Sequence, residues 1–248
     1  MPVSISFIIP AYNEERLLGR TLSAIDEATR RLGEVIEVIV VDDASTDGTA
    51  AVAHAHGARV IPVRRRQIAA TRNAGAREAA GEMLVFVDAD TIVIEATVRA
   101  AIVAMRGGAV GGGSAFRLDG RLPRYGRVLL AVMVPLFRAV GLASGCFLFC
   151  TREAFRAVGG FDERLFVAEE AVMSRALRRQ GRFVILRESV TTSGRKLRTH
   201  SGREILGMLL RVVLAGPKAL RRRDRLDIWY GERRVDPDRG EPRVENVV

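Results

Sequence analysis

Met83-Leu84-Val85-Phe86-Val87-Asp88-Ala89-Asp90-Thr91 is the stretch whose reading decides the fold of this chain. Five apolar residues run without a break into two carboxylates spaced one apart. An unbroken apolar run of this length predicts a strand buried on both faces, as in a parallel sheet covered by helices. Ligands of such sheets bind beyond the carboxyl ends of the strands, which puts Asp88 and Asp90 where a site would form. At strand spacing the two side chains point the same way and can share one divalent cation. Oxygen ligands of this kind suit Mg²⁺ or Mn²⁺, bridged to the phosphate oxygens of a substrate. Taken alone, the pair also fits two acids that open the next helix, so the flanking sequence has to decide.

Upstream, Val3 to Pro10, Glu37 to Val41 and Arg59 to Val63 read as three more strands. Between the first two, Leu17, Leu18, Leu22 and Ile25 repeat with the helical period. A second helix runs from Thr49 to His56, capped by Ser45 or Asp47 and closed by Gly57, with His54 and His56 on its exposed side. Ala69 to Ala76, which includes Arg72 and Asn73, is a helix start built of small residues. Strands alternating with helices in this way predict a right-handed βαβ succession and a parallel sheet.

Downstream, a helix is expected from Ile94 to Met105. Five glycines lie between Gly107 and Gly113, followed by a strand from Ser114 to Leu118. They do not follow a strand and open a helix in G-x-G-x-x-G order, which excludes a dinucleotide fingerprint. Val128 to Cys150 is apolar but contains Pro135, Arg138, Gly141 and Gly145. An arginine at mid-span costs about 2.5–3.5 kcal/mol, so the stretch reads as a buried or surface-docked helix and then a strand from Cys146 to Cys150. A helix from Arg152 to Val158, the turn Gly159-Gly160-Phe161-Asp162-Glu163 and a helix opened by Ala168-Glu169-Glu170 come next. A strand from Phe183 to Leu186 leads into a polar, basic loop, Val190 to Lys196. Leu206, Leu209, Leu210, Val213 and Leu214 form an apolar stripe, followed by Arg221 to Arg223. The polar tail after Gly231 is expected to be disordered.

At 248 residues and 48% hydrophobic content the chain suits one α/β domain with an extension. The opening MPVSISFIIPAYNEE has no basic region ahead of its apolar run, and reads as a first strand rather than a signal peptide. Two cysteines point to a reducing, cytoplasmic setting. As ends of one strand they would lie about 13 Å apart, too far for a disulfide. With three scattered histidines they make no zinc constellation. The net charge is +10, and Arg195 to Arg225 holds ten basic residues against Glu204 and Asp224. Such an excess suits nucleic acid, an anionic membrane or an anionic substrate. With only 6% aromatic residues, and none interleaved with the basic run, nucleic acid is poorly supported.

In order and spacing, IIPAYNEE, VVDDASTDGT, RNAGAREAAGE before FVDADT, and FCTREAFRAVGGFDE followed by AEE and RRQG resemble the family 2 glycosyltransferases over residues 3 to 190. The resemblance implies the α/β fold called GT-A, the nucleotide-diphospho-sugar transferase fold, with a mainly parallel sheet flanked by helices. Residues 1–194 would form the catalytic domain, 1–106 its donor half and 107–194 its acceptor half. Residues 195–230 would be a basic amphipathic helical extension, and 231–248 the tail. Pro10, Tyr12, Glu14 and Asp43 would hold the nucleotide base, and Arg72 and Asp88 would also bind the nucleotide sugar. Asp90 would be the direct ligand of Mg²⁺ or Mn²⁺, with Asp88 beside it and His200 as a third ligand. Arg195, Lys196 and Arg198 would close on the diphosphate.

In that family an Asp after the GGFDE turn serves as the base of an inverting transfer. This sequence has Glu170 there, one methylene longer, with Glu169 as the fallback. A methylene moves the carboxylate by about 1.5 Å, a displacement that matters to catalysis. The same two acids also suit a helix N-terminus, as does Glu14. The donor would be a nucleotide-diphosphate sugar and the acceptor a hydroxyl, lipid-linked or of the cell envelope. Residues 203–223 would touch the inner face of the membrane. Two other classes fit parts of the pattern: a nucleotidyltransferase, and a degenerate protein that binds nucleotide sugars without turnover.

Overall fold

The computed structural model describes residues 4–140 and 142–215, and beyond these positions 220, 221, 223, 226, 230, 231, 234, 236 and 237. In its first half, β1 (Ser4–Ala11), α1 (Glu15–Thr29), β2 (Val35–Asp43), α2 (Thr49–Ala55), β3 (Arg59–Val63), α3 (Ile68–Glu78) and β4 (Met83–Val87) alternate. β5 (Thr91–Ile92), α4 (Glu95–Arg106), β6 (Ala109–Leu118), α5 (Arg124–Val140) and β7 (Phe147–Thr151) follow. Then come α6 (Arg152–Ala157), α7 (Glu169–Arg178), β8 (Arg182–Thr192), α8 (Arg195–Thr199) and α9 (Gly202–Ala215).

The strands form one sheet in the order β3-β2-β1-β4-β7-β6-β8-β5. β1 runs parallel to β2 and β4, and β2 parallel to β3. Their carboxyl ends therefore open on one edge. The other half is mixed: β7 is antiparallel to β4 and β6, β6 is parallel to β8, and β5 is antiparallel to β8.

Alternation along each strand feeds two separate cores. Ile5, Phe7 and Ile9 of β1 and Met83, Val85 and Val87 of β4 pack with Leu18, Leu22, Ile25, Val98 and Ile102. Ile8, Leu84 and Phe86 face the other way, against Ala69, Ala74, Phe155, Met173 and Leu177. All five residues of β4 are buried, as the unbroken run requires. Where α3 crosses the sheet its small residues let it lie close. A Cβ on Gly75 would come within 2.5 Å of Ile8 and 2.7 Å of Val41.

Three local expectations change. Three of the five glycines, Gly111 to Gly113, lie inside β6, which begins at Ala109 rather than Ser114, while Gly107 and Gly108 close α4. A side chain at Gly112 would strike the Val184 carbonyl, and would lie 2.6 Å from the Phe149 ring, so the neighbouring strands demand glycine there. The expected loop from Val190 to Lys196 is instead the end of β8 and the start of α8, because Val190 is buried and pairs with Phe116 of β6. Finally, β4 stops at Val87. Asp88 to Thr91 is a turn closed by Thr91 N–H donating to the Asp88 carbonyl at 3.1 Å, so the two carboxylates sit on a turn and not at strand spacing.

Cys146 and Cys150 are both buried free thiols. α5 is a surface helix, with Val128 and Val132 exposed. Among the described residues no helix is long and apolar enough to cross a membrane. The described part of the last segment lies against the body: Asp236 pairs with Arg198 and Arg234 with Glu204. Residues 238–248 of the expected tail lie outside the described residues, as do the side chains of Leu209, Val213 and Leu214 in the expected stripe.

Candidate active site

The parallel edge opens into a pocket. Pro10, Tyr12 and Glu14 after β1, Asp43 at the end of β2, Arg66 to Ile68 before α3, and Asp88 and Asp90 after β4 form its floor and walls. Arg195 and Lys196 of α8 close one side, and Tyr230 and Gly231 another.

Tyr12 stands at the mouth with the Arg66 guanidinium 3.6 Å from its ring centroid. Arg66 has a φ of 50°, a left-handed conformation that costs a non-glycine residue energy. Asp43 accounts for it. Its Oδ1 accepts the N–H groups of Arg65 and Arg66 at 2.6 and 2.9 Å. Its Oδ2 accepts Gln67 N–H at 3.2 Å and the Thr71 hydroxyl at 2.9 Å. A carboxylate offers about four lone-pair sites, and three backbone N–H groups take up most of them, with the Thr71 hydroxyl shared between Asp43 and the Gln67 carbonyl. Asp43 thus shapes the loop that carries Arg66 and starts α3, while lining the pocket.

Glu14 lies at the N-terminus of α1, yet its side chain does not cap that helix. It is 5% exposed and turns into the pocket to accept a hydrogen bond from Arg195 Nη2. The same nitrogen lies 3.4 Å from Asp90 Oδ2, while Asp90 Oδ1 accepts the Thr192 hydroxyl at 3.2 Å. Burial pushes the Asp88 carboxyl above the usual range, opposed by Arg72 and reinforced by Asp90.

Arg72 does not line the pocket; it lies behind it, 3% exposed. Nη2 donates to Asp88 Oδ1 and to the Gly145 carbonyl, and Nη1 donates to Glu169 Oε1, each at 2.9 Å. It therefore ties the turn after β4 to the start of α7. Glu169 is spent on this pair. Glu170 is the half-buried carboxyl beside it: a Cβ on Gly145 would sit 3.3 Å from Arg72 Nη2 and 3.5 Å from Glu170 Cδ. Burial first, and the Glu169 charge second, raise Glu170 to about 8 against the pull of Arg72.

The turn ahead of α7 is held by α3. Asn73 Oδ1 accepts Phe161 N–H at 2.9 Å, and its amide donates to the Phe161 carbonyl and to Glu163 Oε1, both at 2.9 Å. Gly160, at φ 79°, passes so close that a Cβ there would lie 2.8 Å from Asn73 Oδ1. Two motifs that are remote in sequence are one clasp in space. Asp162 is a turn residue, bonded to the backbone and guanidinium of Arg164.

Two expected participants lie elsewhere. The His200 ring contacts the Lys196 carbonyl at 3.0 Å and the Thr199 hydroxyl, on the far side of α8 with Tyr125 and Leu197, and does not reach the aspartates. Arg198 is taken by Asp119 and Asp236 rather than facing the pocket. Of the residues that sequence reasoning passed over, Arg66, Thr192 and Tyr230 matter most. Tyr230 donates to the Phe166 carbonyl at 2.8 Å and walls the pocket. None of the three sits in a motif or a periodic stretch that would have marked it.

Known proteins share this fold. A mannosyltransferase from Pyrobaculum calidifontis, solved with GDP-Man and Mn²⁺, superposes with a TM-score of 0.68 at 19% identity, covering 93% of this chain and 70% of that one. A glucosyl-3-phosphoglycerate synthase from Mycobacterium tuberculosis, solved with Mn²⁺, UDP and glucosyl-3-phosphoglycerate, gives 0.60 at 22% identity, over 86% and 78% of the two chains. At these identities the likeness establishes the fold. In sequence, an undecaprenyl-phosphate 4-deoxy-4-formamido-L-arabinose transferase of Pseudomonas paraeruginosa is 36% identical over 93 residues, 35% of this chain and 27% of its own length. The match thus spans about a quarter of that relative. Residues 6–155, more than half of the chain, match the profile of glycosyl transferase family 2, so this chain belongs to that family.

Proposed function

We propose that the chain moves a sugar from a nucleoside diphosphate donor to an acceptor hydroxyl with inversion, assisted by Mg²⁺ or Mn²⁺. The observation that carries this is the convergence of Tyr12, Glu14, Asp88, Asp90 and Arg195 on one pocket, with the Glu170 carboxyl beside Arg72, the residue that ties Asp88 to α7. The donor set fits a hard cation bridged by substrate. Asp88 and Asp90 share the pocket wall, and among the described residues no third carboxylate, thiolate or imidazole completes a cage. Mg²⁺ and Mn²⁺ are commonly held by one or two carboxylates, the rest of the shell coming from phosphate oxygens and water. Such an ion would neutralise the charge that develops on the departing diphosphate.

The chain's own residues supply the rest. The Tyr12 ring offers a stacking face for the base, now covered by Arg66. Arg195 and Lys196 stand where they can meet the diphosphate oxygens. Glu170 takes the acceptor hydroxyl proton as the new oxygen–carbon bond forms and the anomeric carbon–phosphate oxygen bond breaks. Glu169, neutralising Arg72, positions that helix rather than acting as base. A lipid-linked acceptor at the membrane face is supported by the relative whose name specifies undecaprenyl phosphate.

Nucleoside diphosphate release across a panel of UDP-, GDP- and dTDP-sugars, with Mn²⁺ or with EDTA, tests the reading. The expected result is metal-dependent release from one donor, abolished in Asp90→Ala. Tight donor binding without release, or pyrophosphate as the product, would sink it.

A further inference from the structure

Half of the large apolar side chains exposed among the described residues stand on two helices: Val128 and Val132 of α5, and Leu206 and Leu210 of α9. The helices touch at their N-terminal ends, where a Cβ on Gly202 would lie 3.2 Å from the Tyr125 ring. Val128 and Val132 continue the helix face of Tyr125 at i+3 and i+7, and Leu206 and Leu210 continue that of Gly202 at i+4 and i+8. Beyond the contact, then, two apolar faces diverge into solvent. Val128 is 67% exposed and Leu206 59%.

We propose that these two faces form one docking surface for an anionic lipid bilayer, lying in the interface rather than crossing it. It deepens the membrane setting of the transferase reading. Charge selects the occupant. Residues 120–140 contain no acid, and the exposed Arg124, Arg127 and Arg203 flank the apolar positions. A second copy would bring these arginines against their own kind on a chain of net charge +10, whereas anionic headgroups neutralise them. Among the described residues neither helix is long and apolar enough to cross, and the 17 described residues of α5 span about 25 Å, short of the roughly 30 Å hydrocarbon core.

The surface also adjoins the pocket. The Tyr125 hydroxyl lies within hydrogen-bonding reach of the carbonyls of Leu197, midway along the short helix that carries Arg195 and Lys196, and of His200, just past its C-terminal end, and donates its one proton to this pair. A hydroxyl borne on a lipid would be presented beside the donor site.

Flotation of the full chain with phosphatidylglycerol/phosphatidylcholine vesicles, against phosphatidylcholine alone, tests this. Val128→Glu/Val132→Glu and Leu206→Glu/Leu210→Glu are the variants, and thermal melts confirm that these exposed changes leave the fold intact. The wild type is expected to float with the anionic vesicles and to fall off with salt, and each double variant to bind roughly tenfold less or weaker still. No flotation of the wild type overturns the proposal, as does flotation of both variants at the wild-type level. A wild-type dimer in solution that the variants split would assign the faces to a second copy instead. Nucleoside diphosphate release is read on the same samples. Release without flotation refutes only the docking surface, and flotation without release refutes only the transferase reading.

Discussion

Replacing Glu170 with Gln keeps the shape of the side chain and removes its charge, which separates what this group costs the fold from what it gives the chemistry. Its pKa is lifted from 4.5 to about 8 by burial and by Glu169. Because the folded value lies above the unfolded one, the folded chain holds the proton longer. The stability this group contributes is complete below pH 4.5 and is lost as pH rises to about 8. At about 1.4 kcal/mol per pH unit the face value is about 4–5 kcal/mol. Access of water to a half-buried side chain brings it to about 2–3 kcal/mol. Urea unfolding of the metal-free protein should show Glu170→Gln and wild type equally stable at pH 4.5, with the variant ahead by that amount at pH 8.5. At pH 8.5, where the wild-type carboxyl is ionised, its nucleoside diphosphate release should be about 10²–10⁴-fold below wild type, since an amide accepts no proton, and the gap should narrow as pH falls and the wild-type carboxyl takes up its proton. A stability gap that stays flat with pH would refute the buried, protonated carboxyl. Turnover at pH 8.5 within a few-fold of wild type would refute Glu170 as the base.

Arg72→Met leaves Asp88 and Glu169 without their shared cation, and should cost about 3–5 kcal/mol in a thermal or urea melt; an unchanged midpoint would contradict the buried pairing. Asp43→Asn exchanges two acceptor sites for an amide facing N–H donors. A loss of about 1–3 kcal/mol and weaker donor binding by calorimetry are expected, and undisturbed stability would show that the loop from Arg65 to Gln67 holds itself. Arg195→Ala frees Asp90 and Glu14 from a competing cation. Mn²⁺ alone, followed by loss of its free paramagnetic signal, should bind roughly tenfold tighter while donor affinity falls. Mn²⁺ affinity equal to wild type would remove Arg195 from the cation's place.

Much of the donor half was legible in the sequence because its signals are local. The run from Met83 to Val87 could only be a strand covered on both sides, and the alternating strands and helices before it placed Tyr12, Asp43 and Asp88 at one sheet edge. The acceptor half was less legible. The glycines of β6 fall outside the strand read from the sequence because their reason, the Phe149 ring and the backbone of β8, lies on other strands. The start of α8, Arg195 and Lys196, read as loop because a helix of five residues carries too little period to be recognised.

Sequence by itself therefore determined the class of fold, the parallel edge and the chemistry gathered there. Hydrophobic alternation and small-residue spacing are set within a few residues of each position. Only the tertiary structure decided how the charges are used. Asp43 serves its own loop, Glu14 faces Arg195 instead of capping a helix, and Arg72 spends itself on Asp88 and on Glu169, the latter 97 positions away in the chain. Whether a carboxylate is paired, saturated or left to take a proton depends on which remote groups share its low-dielectric surroundings, and no local pattern records those distances.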